Sequence, residues 1–139
     1  MFVSQPAGFE RDGEEGKVYR LHKALYGLRQ APRAWNLKLD NTLKELSFVS
    51  SPSEHAMYAR GTRRSRLLLG VYVDDLIVTG ADKEEIGRFK KEMMDKFRMS
   101  DLGLLHFYLG IEFQQSESSI IVSQGAYASK LLEHAGMVG

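Results

Sequence analysis

The sequence predicts an α+β fold, an antiparallel sheet with helices packed on one face, and three patterns carry that expectation. Leu67 to Thr79 reads LLLGVYVDDLIVT, two apolar runs of β-branched and aromatic flavour separated only by Asp74 and Asp75. Too short to cross a membrane, it reads as a strand, an acidic tip and a returning strand. Trp35, Leu39, Leu43 and Leu46 recur at helical spacing, and so do Ile86, Phe89, Met93 and Phe97, each making one apolar stripe. With 43% hydrophobic and 27% charged residues over 139 positions, the chain has globular composition and the size of one domain or a piece of one.

In chain order, a short apolar start at Met1 to Val3 runs into Gln5-Pro6-Ala7-Gly8, which breaks a strand and reads as a loop. Arg11 to Gly16 is polar and reads as a surface turn. Lys17 to His22 alternates polar with apolar and predicts a strand. Pro32 fits the first turn of a helix, so a helix is expected from there to Leu46 or Phe48, with Trp35 as an ordinary core residue. Ser50 to Glu54 reads as a loop, His55 to Arg60 as a short strand, and Arg60 to Arg66 as a polar turn into the central hairpin. Asp82 and Glu85 form a capping-box pattern ahead of a helix over Lys83 to Met99. After a break at Ser100 to Gly103, Leu105, Phe107, Leu109, Ile111 and Phe113 alternate with polar or small neighbours, which predicts one half-buried strand. Gln115 to Ser119 makes a turn, Ile120 to Val122 returns as a hairpin partner, and Ser123 is placed to cap a last helix through Tyr127, Leu131 and Leu132, ended by Gly136.

The absence of cysteine excludes a disulfide framework and cysteine metal sites. The start has no basic segment and apolar core of a secretory signal, and no run approaches membrane-spanning length. His55 has no second histidine or acid at a ligand spacing. Net charge is only +1, but its sign is unevenly spread. No acid occurs from Gly16 to Leu39, where Lys17, Arg20, Lys23, Arg29, Arg33 and Lys38 interleave with Tyr19, Tyr26 and Trp35. A second basic cluster, Arg60, Arg63, Arg64 and Arg66, precedes the central hairpin. Cations beside flat rings suit a nucleic-acid track, although composition alone favours a solvated face over core aromatics. Asp74 and Asp75 are likewise open to two readings. Asp is ordinary turn chemistry, and paired carboxylates between apolar strands also make a cation site.

Read together, the motifs resemble the reverse transcriptase domain of copia-type retrotransposon polyproteins. The matching residues are Gln5-Pro6 with Gly8-Phe9, the block Lys23 to Gln30 with Pro32-Arg33-Ala34-Trp35, the Tyr72-Val73-Asp74-Asp75 signature, Phe97 with Met99, Asp101-Leu102-Gly103, Tyr108 to Glu112, and Ser123-Gln124 with Tyr127. The resemblance covers nearly the whole chain and implies part of a reverse transcriptase palm, in one partial domain over residues 1–139. It implies two-metal nucleotidyl transfer with Asp74 and Asp75 as magnesium ligands. It implies a nucleotide and template pocket at Tyr26, Gly27, Arg29, Gln30, Tyr72 and Val73, and a primer grip at Tyr108, Leu109, Gly110 and Glu112. Lys23, Arg33, Arg63 and Arg64 would meet the nucleic-acid backbone. The implied partners are an RNA or DNA template-primer, deoxynucleoside triphosphates and the rest of a polyprotein. The family's third catalytic aspartate lies on a strand upstream of the Gln5-Pro6 loop. No aspartate of this chain has that setting, so the isolated chain is expected to be inactive. The alternative is a non-catalytic transposon remnant that at most binds nucleic acid through its basic residues. Ala7 replaces a usual second proline, Gly70 lies in an otherwise bulky strand, and Ser53 to Ala56 departs from the family's Asp-Pro-Cys.

Overall fold

The computed structural model describes residues 2–10, 12–14 and 16–137, and the chain divides into two compact units, Met1–Asp82 and Lys83–Gly139. In the first unit a two-stranded antiparallel ribbon pairs β1 (Phe2–Ser4) with β2 (Val18–Arg20), in the register Phe2↔Arg20. The Gln5 side-chain amide donates to the carbonyls of Glu14, at 2.9 Å, and Lys17, at 3.2 Å, closing the ribbon's open end. Of the turn expected at Arg11 to Gly16, Arg11 and Glu15 lie outside the described residues, as does Met1 of the apolar start.

Helix α1 (Ala31–Glu45) starts where Pro32 allows, since a first-turn proline has no lost hydrogen bond to answer for. It ends in a Schellman motif. Ser47, at φ 65°, donates its N–H to the Lys44 carbonyl, and the Phe48 N–H returns to the Leu43 carbonyl. The chain then builds β3 (Val49–Ser50), β4 (Met57–Arg60), a 3-10 turn (Arg63–Ser65), β5 (Leu67–Tyr72) and β6 (Asp75–Gly80) into one antiparallel sheet ordered β3-β4-β5-β6. Strand β3 falls partly within the segment read as a loop, because a two-residue strand carries no periodicity.

Register decides which side of this sheet is core. Tyr58 pairs with Leu69 and Arg60 with Leu67, so these residues share a face. On that face Tyr58, Leu67 and Leu69 are buried, as are Leu39 and Leu43 of α1 and Phe48 behind it. Each fully buried leucine contributes about 1.5–3 kcal/mol relative to an exposed one. Polar ties fix α1 on that face: the Tyr58 hydroxyl donates to Asp40 Oδ1 at 3.2 Å, and Arg60 Nη1 donates to the Leu46 carbonyl at 3.3 Å while its guanidinium lies over the Phe48 ring.

In the second unit α2 (Lys83–Lys96) buries Phe89 and Met93, and Phe97 just past its end is buried as well. The stripe is as expected, but the helix stops short of Met99. A carboxylate beyond the helix secures that end of the chain, with Lys90 Nζ reaching both Asp101 oxygens at 2.9 Å and Asp101 accepting the Gly103 N–H at 2.9 Å. A three-stranded antiparallel sheet, β7 (Phe107–Tyr108), β8 (Ile111–Gln115) and β9 (Ile120–Ser123), precedes α3 (Gly125–His134).

Two expectations are corrected here. The alternating run from Leu105 to Gln114 is not one strand. Leu109 (φ 52°) and Gly110 (φ 82°) form a two-residue turn with the signs of type I′, and the chain reverses so that Tyr108 faces Ile111. The resulting strands belong to their own sheet and do not form an edge of the four-stranded one. Ser123 does not cap α3 either. It closes β9, and its hydroxyl donates to Glu112 Oε2 at 3.2 Å, while Glu112 Oε1 accepts the Ala126 N–H at 2.8 Å. The capping carboxylate comes from the neighbouring strand and leaves Gln124 at the cap position without a side-chain bond.

Candidate active site

Asp74 and Asp75 sit at the end of the β5–β6 hairpin. The ladder runs from Leu67↔Gly80 to Tyr72↔Asp75, which leaves Val73 and Asp74 as the turn. Val73 has φ 55° and Asp74 does not have a positive φ, the sign pattern of a type II′ turn. Such a turn favours glycine at its first central position. A β-branched residue in the left-handed region costs about 1–2 kcal/mol. The turn is met from outside the hairpin. Trp35, in the second turn of α1, donates its indole N–H to the Val73 carbonyl at 2.6 Å. Such a bond contributes about 0.5–1.5 kcal/mol net, the same order as the backbone cost beside it.

Trp35 is therefore not simply the core residue expected from its stripe; it is half-buried and tied to the acidic turn, while Leu39 and Leu43 of the same stripe are buried. Both carboxylates are exposed at the tip. Two exposed carboxylates are hard oxygen donors suited to magnesium, which keeps several waters and takes one or two protein carboxylates alongside phosphate oxygens. Among the described residues no three histidine, cysteine or acidic side chains gather to hold a metal ion.

The block before α1 runs directly into that helix. Leu28 N–H bonds to the Leu25 carbonyl across a turn that puts Gly27 at φ 86°, and Ala31 N–H bonds to the Leu28 carbonyl as the chain enters the helix. Tyr26 projects from that turn with 97% of its surface exposed, and Arg29 is exposed beside it. Through α1 and Trp35, this segment is joined to the Tyr72–Asp75 turn within one unit.

The reverse transcriptase (RNA-dependent DNA polymerase) family model matches residues 1–139, the full chain. The chain belongs to this family. Similar relatives are copia-type transposon proteins. The Retrovirus-related Pol polyprotein from transposon RE1 of Arabidopsis thaliana is 36% identical over 138 residues, covering 99% of this chain and 9% of that polyprotein. The transposon Ty5-1 protein of Saccharomyces cerevisiae is 36% identical over 131 residues, 94% of this chain and 42% of that protein. The Pol polyprotein from transposon TNT 1-94 of Nicotiana tabacum is 34% identical over 140 residues, 99% of this chain and 10% of the polyprotein. The chain thus spans less than half the length of each of these relatives. No solved structure matches it.

Within the chain the remaining expected site residues are dispersed. Lys23 and Arg33 are exposed on either side of the Tyr26 turn, with Arg33 in the first turn of α1. Arg63 and Arg64 occupy the 3-10 turn before β5, at the opposite end of that strand from Asp74. Six residues of strand separate them from the turn, about 20 Å at about 3.4 Å per residue. Sequence adjacency to the hairpin does not bring them to its tip. Tyr108, Leu109, Gly110 and Glu112 form the β7–β8 hairpin of the second unit. Glu112's carboxylate is engaged by Ser123 and Ala126 and so holds hairpin and α3 together.

Proposed function

We propose that this chain is the aspartate-bearing palm segment of an RNA-directed DNA polymerase of a copia-type retrotransposon, acting by nucleotidyl transfer. The observation that carries the proposal is the Tyr72–Asp75 turn, which exposes two adjacent carboxylates on a tight hairpin in a chain that matches the reverse transcriptase family from end to end. Asp74 and Asp75 would hold magnesium, with Asp74 as the main ligand. The bound ions would supply Lewis-acid activation of the primer hydroxyl and charge neutralisation at the triphosphate.

The chain's own residues bind and orient. Tyr72 and Val73 border the primer end. Tyr26, Arg29 and Gln30 face nucleotide and template, and Gly27 leaves the backbone open to close approach. The Tyr108–Gly110 turn grips the primer, with Glu112 holding that turn against α3. Lys23, Arg33, Arg63 and Arg64 neutralise backbone phosphates.

With two carboxylates and no third gathered beside them among the described residues, residues 1–139 alone are expected not to extend a primer. The same observation favours the second reading, a non-catalytic remnant that binds nucleic acid. Primer extension on an RNA template with magnesium separates the two. Three proteins are compared: this chain, a form carrying an aspartate-bearing strand upstream of Gln5-Pro6, and that form with Asp74→Asn. Synthesis by the extended form alone, abolished by Asp74→Asn, supports the polymerase. Three folded but inactive proteins leave the remnant reading.

A further inference from the structure

We propose that Trp35 is a positioning residue for the metal-binding turn. By holding the Val73 carbonyl, its indole N–H keeps Val73 left-handed and so sets the direction in which the Asp74 carboxylate points. The inference rests on the reading of Asp74 as a metal ligand and goes beyond it, because Trp35 itself touches neither metal nor substrate.

Three observations converge. The turn between Tyr72 and Asp75 has only two residues, so the conformation of Val73 decides the departure direction of Asp74. Val73 is β-branched at φ 55°, a conformation that the residue itself does not favour. The Val73 carbonyl receives the Trp35 indole N–H at 2.6 Å, from a helix anchored elsewhere by buried Leu39 and Leu43 and by the Asp40–Tyr58 bond. A donor on a rigid helix holding the carbonyl of a strained residue is a clamp. Without it the turn has other two-residue conformations open to it, in which Asp74 and Asp75 no longer diverge in the same way. The Tyr26 block leads directly into the same helix, which therefore connects that block to the carboxylate-bearing turn.

The chain supplies its own probe, since Trp35 is its one tryptophan. Titration with manganese(II), a paramagnetic stand-in for magnesium, should quench Trp35 emission in the parent chain and fail to do so in Asp74→Asn. Affinity in variants without the indole is read from the free manganese electron-resonance signal. All are measured well below the thermal midpoint, with circular dichroism to show that each is folded. Trp35→Phe keeps a flat apolar ring and removes the donor; it should weaken manganese binding about three- to tenfold, the effect of one lost hydrogen bond. Adding Val73→Gly should restore most of that affinity, because glycine adopts positive φ without a clamp. Because every variant is measured fully folded, a difference in overall stability does not enter the comparison.

Manganese affinity in Trp35→Phe within twofold of the parent overturns the inference and leaves the metal reading standing. Weakening that Val73→Gly does not repair also overturns it, assigning Trp35 to the fold and not to the turn. Absence of Asp74-dependent binding in the parent overturns the metal reading, and this inference with it.

Discussion

Asp40 shows how one carboxylate can be both structural and titratable. It lies on α1 between Lys44 Nζ, at 2.7 Å, and the Tyr58 hydroxyl, at 3.2 Å. The Lys44 hydrogen bond, aided by Tyr58 and opposed by partial burial, holds its carboxyl below the usual carboxylate range. Burial, with Asp40 beside it, pushes the Tyr58 hydroxyl up. A carboxylate with a depressed folded pKa binds fewer protons in the native state than in the unfolded one. Its contribution is therefore complete above the unfolded value of 3.8 and disappears as pH falls through the lower folded value. Tyr58 acts with the opposite sign, its contribution complete below 10.0 and lost as pH rises through the higher folded value. Urea midpoints measured from pH 6 down to pH 2 should fall in the parent and fall less steeply in Asp40→Asn. Asp101, lowered by Lys90 and the Gly103 N–H, retains its own acid dependence in both proteins, so the difference between the two curves isolates Asp40. None of this was legible in the sequence, where nothing around Asp40 points to Tyr58. The pairing with Tyr58 depends on α1 meeting β4, a contact 18 positions away along the chain.

Among elements, the two Schellman endings form an internal comparison. Helix α3 closes with Gly136 at φ 66°, its N–H on the Glu133 carbonyl and Met137 returning to Leu132. Helix α1 closes with the same two bonds around Ser47. Serine bears the left-handed penalty that glycine avoids, so Ser47→Gly should stabilise the first unit by about 0.5–1 kcal/mol, read as a higher urea midpoint with unchanged slope. The same asymmetry explains which boundaries could be read in advance. Gly136 marked its helix end; Ser47 gave no sign. Gly110 alone did not mark a hairpin because Leu109, a poor residue for positive φ, stands beside it and continues the alternation. The reversal puts Phe107 opposite Glu112, with Phe107 62% exposed, where a continuous strand would have aligned it with Ile111 and Phe113. The helices and the β5–β6 hairpin were legible because their apolar periodicity extends over several turns or strand repeats. Val73 and Trp35 were not, since a strained φ and a side chain reaching 38 positions ahead leave no local pattern.

For the whole molecule, charge is distributed and not massed. Net charge is +1, and of the exposed cations Lys23, Arg29 and Arg33 lie around the Tyr26 turn while Arg63 and Arg64 lie at the far end of β5. Binding to single-stranded RNA is therefore expected to be non-specific and to weaken steeply with salt. Arg63→Gln with Arg64→Gln should make the slope of log affinity against log salt shallower by roughly one unit per phosphate contact removed. Salt-insensitive binding, or none in low salt, would remove the backbone role given to these residues. The division into two units was not foreseen, because short strands resemble one another in sequence and register alone sorts them into separate sheets. That sorting has one further result. The four-stranded sheet ends at β6, whose outer side has no strand bonded to it among the described residues, and β6 begins with Asp75. Any strand that zips along that margin, level with its first residue, brings a side chain to about 4.5–5.5 Å from Asp75, Cβ to Cβ. If that side chain is an aspartate, backbone pairing alone sets a third carboxylate beside Asp75, and the completeness of the proposed metal site becomes a question of who occupies the seam.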